Sequence, residues 1–128
     1  MPNCDTGLIA WYKNTDGLGT FGQQIVVSTD VYTAFSVAVG DFNGDGHLDL
    51  ASASYHDSKI AWYKNTDGLG NFGTQIVVST AVSGACSVIG GDFNGDGHLD
   101  LASASYVDKT IAWYKNDLGV IEATELAF

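Results

Sequence analysis

The chain repeats itself. Residues 11–61 and 62–112 align without a gap and are identical at 40 of 51 positions, and Trp11, Trp62 and Trp113 keep the same 51-residue interval. A period of this length marks an architecture in which each unit buries its apolar faces against its neighbours. The chain therefore holds about two and a half copies of one unit. A partial copy covers 1–34, a complete one 35–85, and a third, divergent at its end, 86–128.

Within a unit, short extended runs alternate with turn formers, and no helical periodicity appears. In the complete copy, strands are expected over 35–41, 48–55, 59–64 and 75–80, with turns over 56–58 and 65–73. The partial copy should supply only the third and fourth strands, over 8–13 and 24–28. Ala51-Ser-Ala-Ser54 and Ile76-Val-Val78 are small or apolar on both faces, which suits a sheet covered on both sides. Stacked four-stranded antiparallel blades have that property. With four strands per unit, the period fits a β-propeller better than a β-helix, whose coils are shorter. The expected fold is all-β: a partial propeller of such blades. After Asn116 the repeat breaks, and Val120 to Leu126 is expected to form a modified outer strand.

The most chemically loaded stretch also occurs twice, as Asp-Phe-Asn-Gly-Asp-Gly-His-Leu-Asp over 41–49 and 92–100. Oxygen-bearing side chains stand at loop positions 1, 3, 5 and 9: Asp41, Asn43, Asp45 and Asp49, then Asp92, Asn94, Asp96 and Asp100. Carboxylates crowded in this way repel one another unless a hard cation lies between them. Ca²⁺ accepts six to eight oxygens in irregular geometry, whereas Mg²⁺ demands a strict octahedron. Gly46 and Gly97 occupy position 6, where such a loop turns sharply, and His47 and His98 at position 7 would offer backbone carbonyls. Two Ca²⁺ sites are expected. An EF-hand is excluded because position 12 is Ser52 or Ser103 rather than Glu, with no helical stripe after it. The bland alternative is an acidic Asn-Gly/Asp-Gly turn that holds no metal.

Fifteen acidic residues against five Lys and no Arg give a net charge of −10, and six of the acids lie in the two loops. Two bound Ca²⁺ ions would bring the formal charge from −10 to −6. A sequence pI near 4.2 with no basic stripe disfavours nucleic acid and anionic membrane as partners. No stretch approaches the ~20 apolar residues of a membrane span. The first residues lack the basic and apolar regions of a signal peptide. Cys4 and Cys86 form no framework; Cys86 takes the repeat position of Phe35 and reads as a small buried residue.

A catalytic centre needs convergent unlike groups, and none is apparent. The serines lie in Ala-Ser-Ala-Ser strands, the paired carboxylates lie in the loops, and His56 becomes Val107 one repeat later. Trp11-Tyr12, Trp62-Tyr63 and Trp113-Tyr114 are either sugar-stacking platforms, one per blade, or packing between blades. Phe21 and Phe72, beside glycines in turns, are expected to plug the space under a loop.

The run Val-Ala-Val-Gly-Asp-Phe-Asn-Gly-Asp-Gly-His-Leu-Asp-Leu-Ala-Ser-Ala, followed by Ile-Ala-Trp-Tyr-Lys-Asn and Gly-Asn-Phe-Gly, resembles the FG-GAP/VCBS repeats of integrin α-subunit propellers and many extracellular microbial proteins. The resemblance runs from about residue 8 to about residue 116. It implies a Ca²⁺ loop between the first two strands of each blade, with the ligand roles falling on Asp41, Asn43, Asp45 and Asp49 and on Asp92, Asn94, Asp96 and Asp100. It also implies a non-catalytic module for binding, adhesion or scaffolding, extracellular or at the cell surface, with a protein or carbohydrate ligand. Two and a half blades fall short of a closed ring, so further blades or a homo-oligomer would complete it. The alternatives are a non-catalytic fragment of a larger polysaccharide-acting enzyme and a lectin-like sugar binder using the Trp-Tyr positions.

Overall fold

The structure is a computed structural model and describes residues 7–117 and 120–123. Ten strands follow one another: β1 (Ile9–Asn14), β2 (Phe21–Ser28), β3 (Ala34–Gly40), β4 (Asp49–Ser54), β5 (Lys59–Tyr63), β6 (Ile76–Ser79), β7 (Ala85–Gly91), β8 (Asp100–Ser105), β9 (Thr110–Asp117) and β10 (Val120–Ala123). The described residues contain no helix, and the fold is all-β and antiparallel, as the patterning predicts. β1 pairs with β2, β3 to β6 form a second sheet in chain order, and β7 to β10 form a third.

The second and third sheets repeat one register. Leu50 faces Tyr63 and Ala51 faces Trp62, while 51 residues later Leu101 faces Tyr114 and Ala102 faces Trp113. Both sheets carry a bulge at their start, between Ala34 and Ser36 and between Ala85 and Ser87. The expected outer strand after the break is β10, paired with β9 from Val120–Asp117 to Ala123–Tyr114. The part of that expectation over 124–126 lies outside the described residues, as does Cys4.

The sheets stack face to face. Phe42, from the loop between β3 and β4, and Ala51, Ala53, Ile60 and Trp62 of the second sheet form one core with Val88, Leu101, Tyr114 and Ile121 of the third. A smaller core joins Ile9 and Val27, of the first sheet, to Leu50, Ala61 and Tyr63 of the second. Every residue of β4 is buried, so its Ala-Ser alternation fills two interfaces at once. Small side chains let the flanking sheets approach, and each buried serine finds a partner. Ser52 Oγ lies 3.0 Å from Tyr63 Oη, and Ser103 Oγ lies 2.8 Å from Tyr114 Oη. These pairs satisfy hydroxyls that would otherwise be costly to bury.

Position in the stack, rather than residue type, sets exposure. Tyr63 and Tyr114 are buried, but the equivalent Tyr12 is 48% exposed. Phe72 packs on the smaller core as expected of a plug. Its counterpart Phe21 is instead exposed and belongs to β2, because no described sheet lies beyond the first for it to pack against. Cys86 is half buried rather than buried, and its thiol donates to the Gly84 carbonyl.

Removing Leu101, fully buried between the sheets, should cost far more than removing Leu48, which is 61% exposed. Leu101→Ala is expected to lower the unfolding free energy by about 2–5 kcal/mol, and Leu48→Ala by less than about 0.5 kcal/mol. Urea titration of both variants measures the difference, and equal losses would contradict the stacked core.

Candidate metal centre

Each acidic loop joins the first two strands of a sheet. The loop 41–48 links β3 to β4, and the loop 92–99 links β7 to β8. The strands hold the loop ends together, since Gly40 pairs with Asp49 and Gly91 with Asp100. The turn itself depends on left-handed backbone: Gly46 and Gly97 have φ of 86° and 88°, a region that side chains disfavour.

Three carboxylates converge in each loop. Asp41, Asp45 and Asp49 each offer an oxygen lying within 4.8 Å of the others, and so do Asp92, Asp96 and Asp100. Asp49 and Asp100 are fully buried at the floor, whereas Asp45 and Asp96 are exposed at the rim. Asn43 turns its side-chain oxygen toward the same loop, where it accepts from the Asp45 amide at 3.3 Å. Asn94 is exposed in the equivalent place.

The loop backbone also uses these oxygens. Asp41 accepts from the amides of Gly44, Asp45 and Gly46 at 2.8–3.2 Å, and Asp92 accepts from Asp96 and Gly97 at 2.9–3.1 Å. The amides of His47 and His98 donate to Asp45 and Asp96, both at 2.9 Å. Those bonds preshape the loop, and a carboxylate oxygen keeps a second lone pair for a cation.

The buried aspartates do more than the sequence indicates. Asp49 Oδ2 accepts from the Phe42 amide at 3.0 Å and Oδ1 from the Asn65 amide at 2.9 Å. Asp100 repeats this with Phe93 at 3.0 Å and Asn116 at 2.8 Å. One carboxylate thus ties the start of the loop, the strand after it and the end of the next strand. Asn65 and Asn116 were not singled out in the sequence, although both end a repeated Trp-Tyr-Lys-Asn run. Their side chains donate to the carbonyls of Leu48 and Leu99. The His47 ring has a packing role as well: a methyl group on Gly68 would collide with it, so ring and glycine turn lie in contact.

Burial pushes the Asp49 carboxyl above the usual carboxylate range, and the charges of Asp45 and Asp41 push the same way. The Asn65 and Phe42 amides oppose the rise without cancelling it. The rim behaves oppositely. The His47 amide holds Asp45 below the usual range, helped by Asn43, and the His98 amide and Asn94 do the same for Asp96. An all-oxygen donor set with a buried anion at its floor and two more facing it fits a hard divalent cation, Ca²⁺ best among them.

The Trp-Tyr pairs are mostly packing. Trp62, Tyr63 and Tyr114 are buried, and Trp62 meets Phe42 edge-on at 6.3 Å between ring centres. Trp113 meets Phe93 in the same way at 6.4 Å.

The opposite shifts fix the pH dependence of the protein in chelator. The fold raises the Asp49 pKa, so its contribution is fully present below the unfolded value and is lost as pH rises through the folded one. Asp45 and Asp96 are lowered, so theirs is present above the unfolded value and lost as pH falls through the folded ones. Metal-free stability should therefore peak in mildly acidic solution, near the ordinary carboxylate pKa of about 4. Thermal melts across pH check this, and Asp49→Asn should flatten the decline toward neutrality. A steady fall in stability from neutral pH to about 4 would contradict it.

A family model described as an FG-GAP-like repeat matches residues 3–52 and 41–103. Both matches contain the loop 41–49, and the second also contains 92–100. No curated protein and no solved structure matches the chain.

Proposed function

The chain belongs to the FG-GAP-like repeat family, and from that premise we propose that it is a calcium-binding, non-catalytic β-propeller module that serves extracellular binding, adhesion or scaffolding. The observation that carries the reading is the pair of three-carboxylate clusters, each within 4.8 Å and each floored by a buried aspartate. In this reading the sheets β3–β6 and β7–β10 are blades, and β1–β2 is the outer half of a third. The units 1–34, 35–85 and 86–128 make up a partial propeller.

The two ions would be Ca²⁺. Asp41, Asn43, Asp45 and Asp49 would hold one and Asp92, Asn94, Asp96 and Asp100 the other, with the carbonyls of His47 and His98 as further ligands. Their role is to brace the blade. A cation that binds only the folded loop stabilises the fold by mass action, by about 2.7 kcal/mol per site at a hundredfold excess over Kd. Sites of the extracellular class bind at about 10⁻⁴–10⁻³ M, which places the module where calcium is millimolar. No helix among the described residues is long and apolar enough to cross a membrane. A protein or carbohydrate is the expected ligand. The burial of Trp62, Tyr63 and Tyr114 removes half of the six aromatic residues on which a lectin-like reading relies.

Calorimetric titration with CaCl₂ should give two ions per chain, and Asp45→Ala should abolish one of them. Asp45→Ala and Asp96→Ala should each lower the melting temperature by several degrees more in calcium than in chelator, where the loss is chiefly the bond to the His47 or His98 amide. Absence of binding at millimolar calcium, or equal losses with and without the metal, would sink the proposal.

A further inference from the structure

The two acidic loops interlock across the junction between the second and third sheets. Phe42 stands between Asp41 and Asn43 in the first loop, and its ring is fully buried against Trp62 and Gly90. Gly90 lies two residues before Asp92, at the entry to the second loop. The contact is returned: Leu99, which precedes Asp100, lies on Gly40, which precedes Asp41. A Cβ at Gly90 would stand 3.2 Å from the Phe42 ring, and one at Gly40 would stand 2.8 Å from Leu99 Cδ1. Each loop thus seats an apolar side chain on a glycine that leads into the other, closer than a larger residue would allow.

One buried side chain joins both loops by hydrogen bonds. Asn116 Nδ2 donates to the carbonyl of Phe42 in the first loop and to that of Leu99 in the second, the latter at 2.6 Å. Its backbone amide donates to Asp100 Oδ1, and the Phe42 amide donates to Asp49 Oδ2. The two buried floor carboxylates are therefore connected, from Asp49 through the backbone of Phe42 and through Asn116 to Asp100. Asn65 holds the same place one unit earlier and bonds to Asp49 and Leu48. Among the described residues its side chain donates to no second acidic loop.

We infer that the two loops bind their metal ions cooperatively, each ion raising the affinity of the other loop, with Asn116 as the positioning residue that transmits the effect. The inference rests on the proposed calcium binding and adds how the two sites act together. Asp41 and Asn43 flank Phe42, so a cation that draws those two side chains together also fixes the Phe42 carbonyl and the seat of its ring. Asn116 and Gly90 are fixed with them, and these set the position of Asp100 and the entry to the second loop. Ordering the loops costs conformational entropy, and the first ion meets much of that cost for both. Repulsion between the ions opposes the effect, but each faces three carboxylates and salt screens what remains. The sign is positive. Linkage makes it reciprocal: each ion strengthens the other by the same factor.

Calcium titrations of the full chain are compared with those of Asp45→Ala and Asp96→Ala, each of which changes an exposed rim residue and keeps one site. The unaltered chain should bind its second ion about five- to tenfold more tightly than the single-site variants bind their one. In Asp96→Ala, calcium in the first loop should slow hydrogen exchange at the Asn116 amide, bonded to Asp100 of the empty loop, more than along β1 and β2. Asn116→Ala should abolish the excess affinity while two ions still bind. Asn65→Ala should weaken the first site and keep the excess. A titration equal to the sum of the two single-site titrations, no added protection at Asn116, or an excess that survives Asn116→Ala would overturn the inference. Should Asn116→Ala fail to fold, the comparison with the single-site variants decides alone. A chain that binds two ions independently fails this inference and leaves the calcium reading intact; one that binds none fails the calcium reading itself.

Discussion

A buried carboxylate at the last position of each loop holds this structure in register. Asp49 and Asp100 each accept two backbone amides from different segments, one at the start of the loop and one beyond the following hairpin. Losing either bond would leave a buried donor unpaired, a cost of about 1–3 kcal/mol. The geometry therefore needs an oxygen on both sides of the group, which an aspartate supplies and an asparagine does not. Burying that charge is unfavourable, and at Asp49 two further acidic side chains aggravate the cost. A divalent cation above the buried group would turn the same crowding into binding energy. Fold and proposed metal function thus meet in one side chain per unit.

Sheet stacking depends on a second constraint, small residues at the centre. β4 runs Asp-Leu-Ala-Ser-Ala-Ser with every residue buried, and β8 repeats the sequence. Larger side chains there would hold the flanking sheets apart, while unpartnered serines would be costly to bury. The tyrosines of β5 and β9 resolve this by packing their rings into the core and turning their hydroxyls to Ser52 and Ser103. Because each sheet is covered by the next, the first and third expose faces that the second does not. Ile60 is fully buried, whereas Ile111 is 54% exposed.

Much of this was legible in the residues. Turn formers between apolar runs placed the four strands of the second sheet, expected over 35–41, 48–55, 59–64 and 75–80, within one residue of where they fall at each end. The loop carboxylates were legible because their spacing is local: nine residues bring Asp41, Asp45 and Asp49 together without help from the rest of the chain. What escaped depends on contacts between units. Nothing in the sequence separates Tyr12 from Tyr63 or Phe21 from Phe72, since the residues match and only the neighbouring sheet differs. The roles of Asn65 and Asn116 were hidden for the same reason, as their amides meet a carboxylate 16 positions away. The second task of Asp49, as an anchor for the backbone, could not be told from its first by spacing alone.

The most direct test of the account is diffraction from crystals grown in calcium, collected where calcium scatters anomalously. Two peaks per chain are predicted, one among Asp41, Asn43, Asp45 and Asp49 and one among Asp92, Asn94, Asp96 and Asp100, with oxygens at about 2.3–2.6 Å. Loops that hold only water at millimolar calcium, with Asp41 and Asp92 still bonded to their own backbone amides, would contradict it and reduce the clusters to acidic turns.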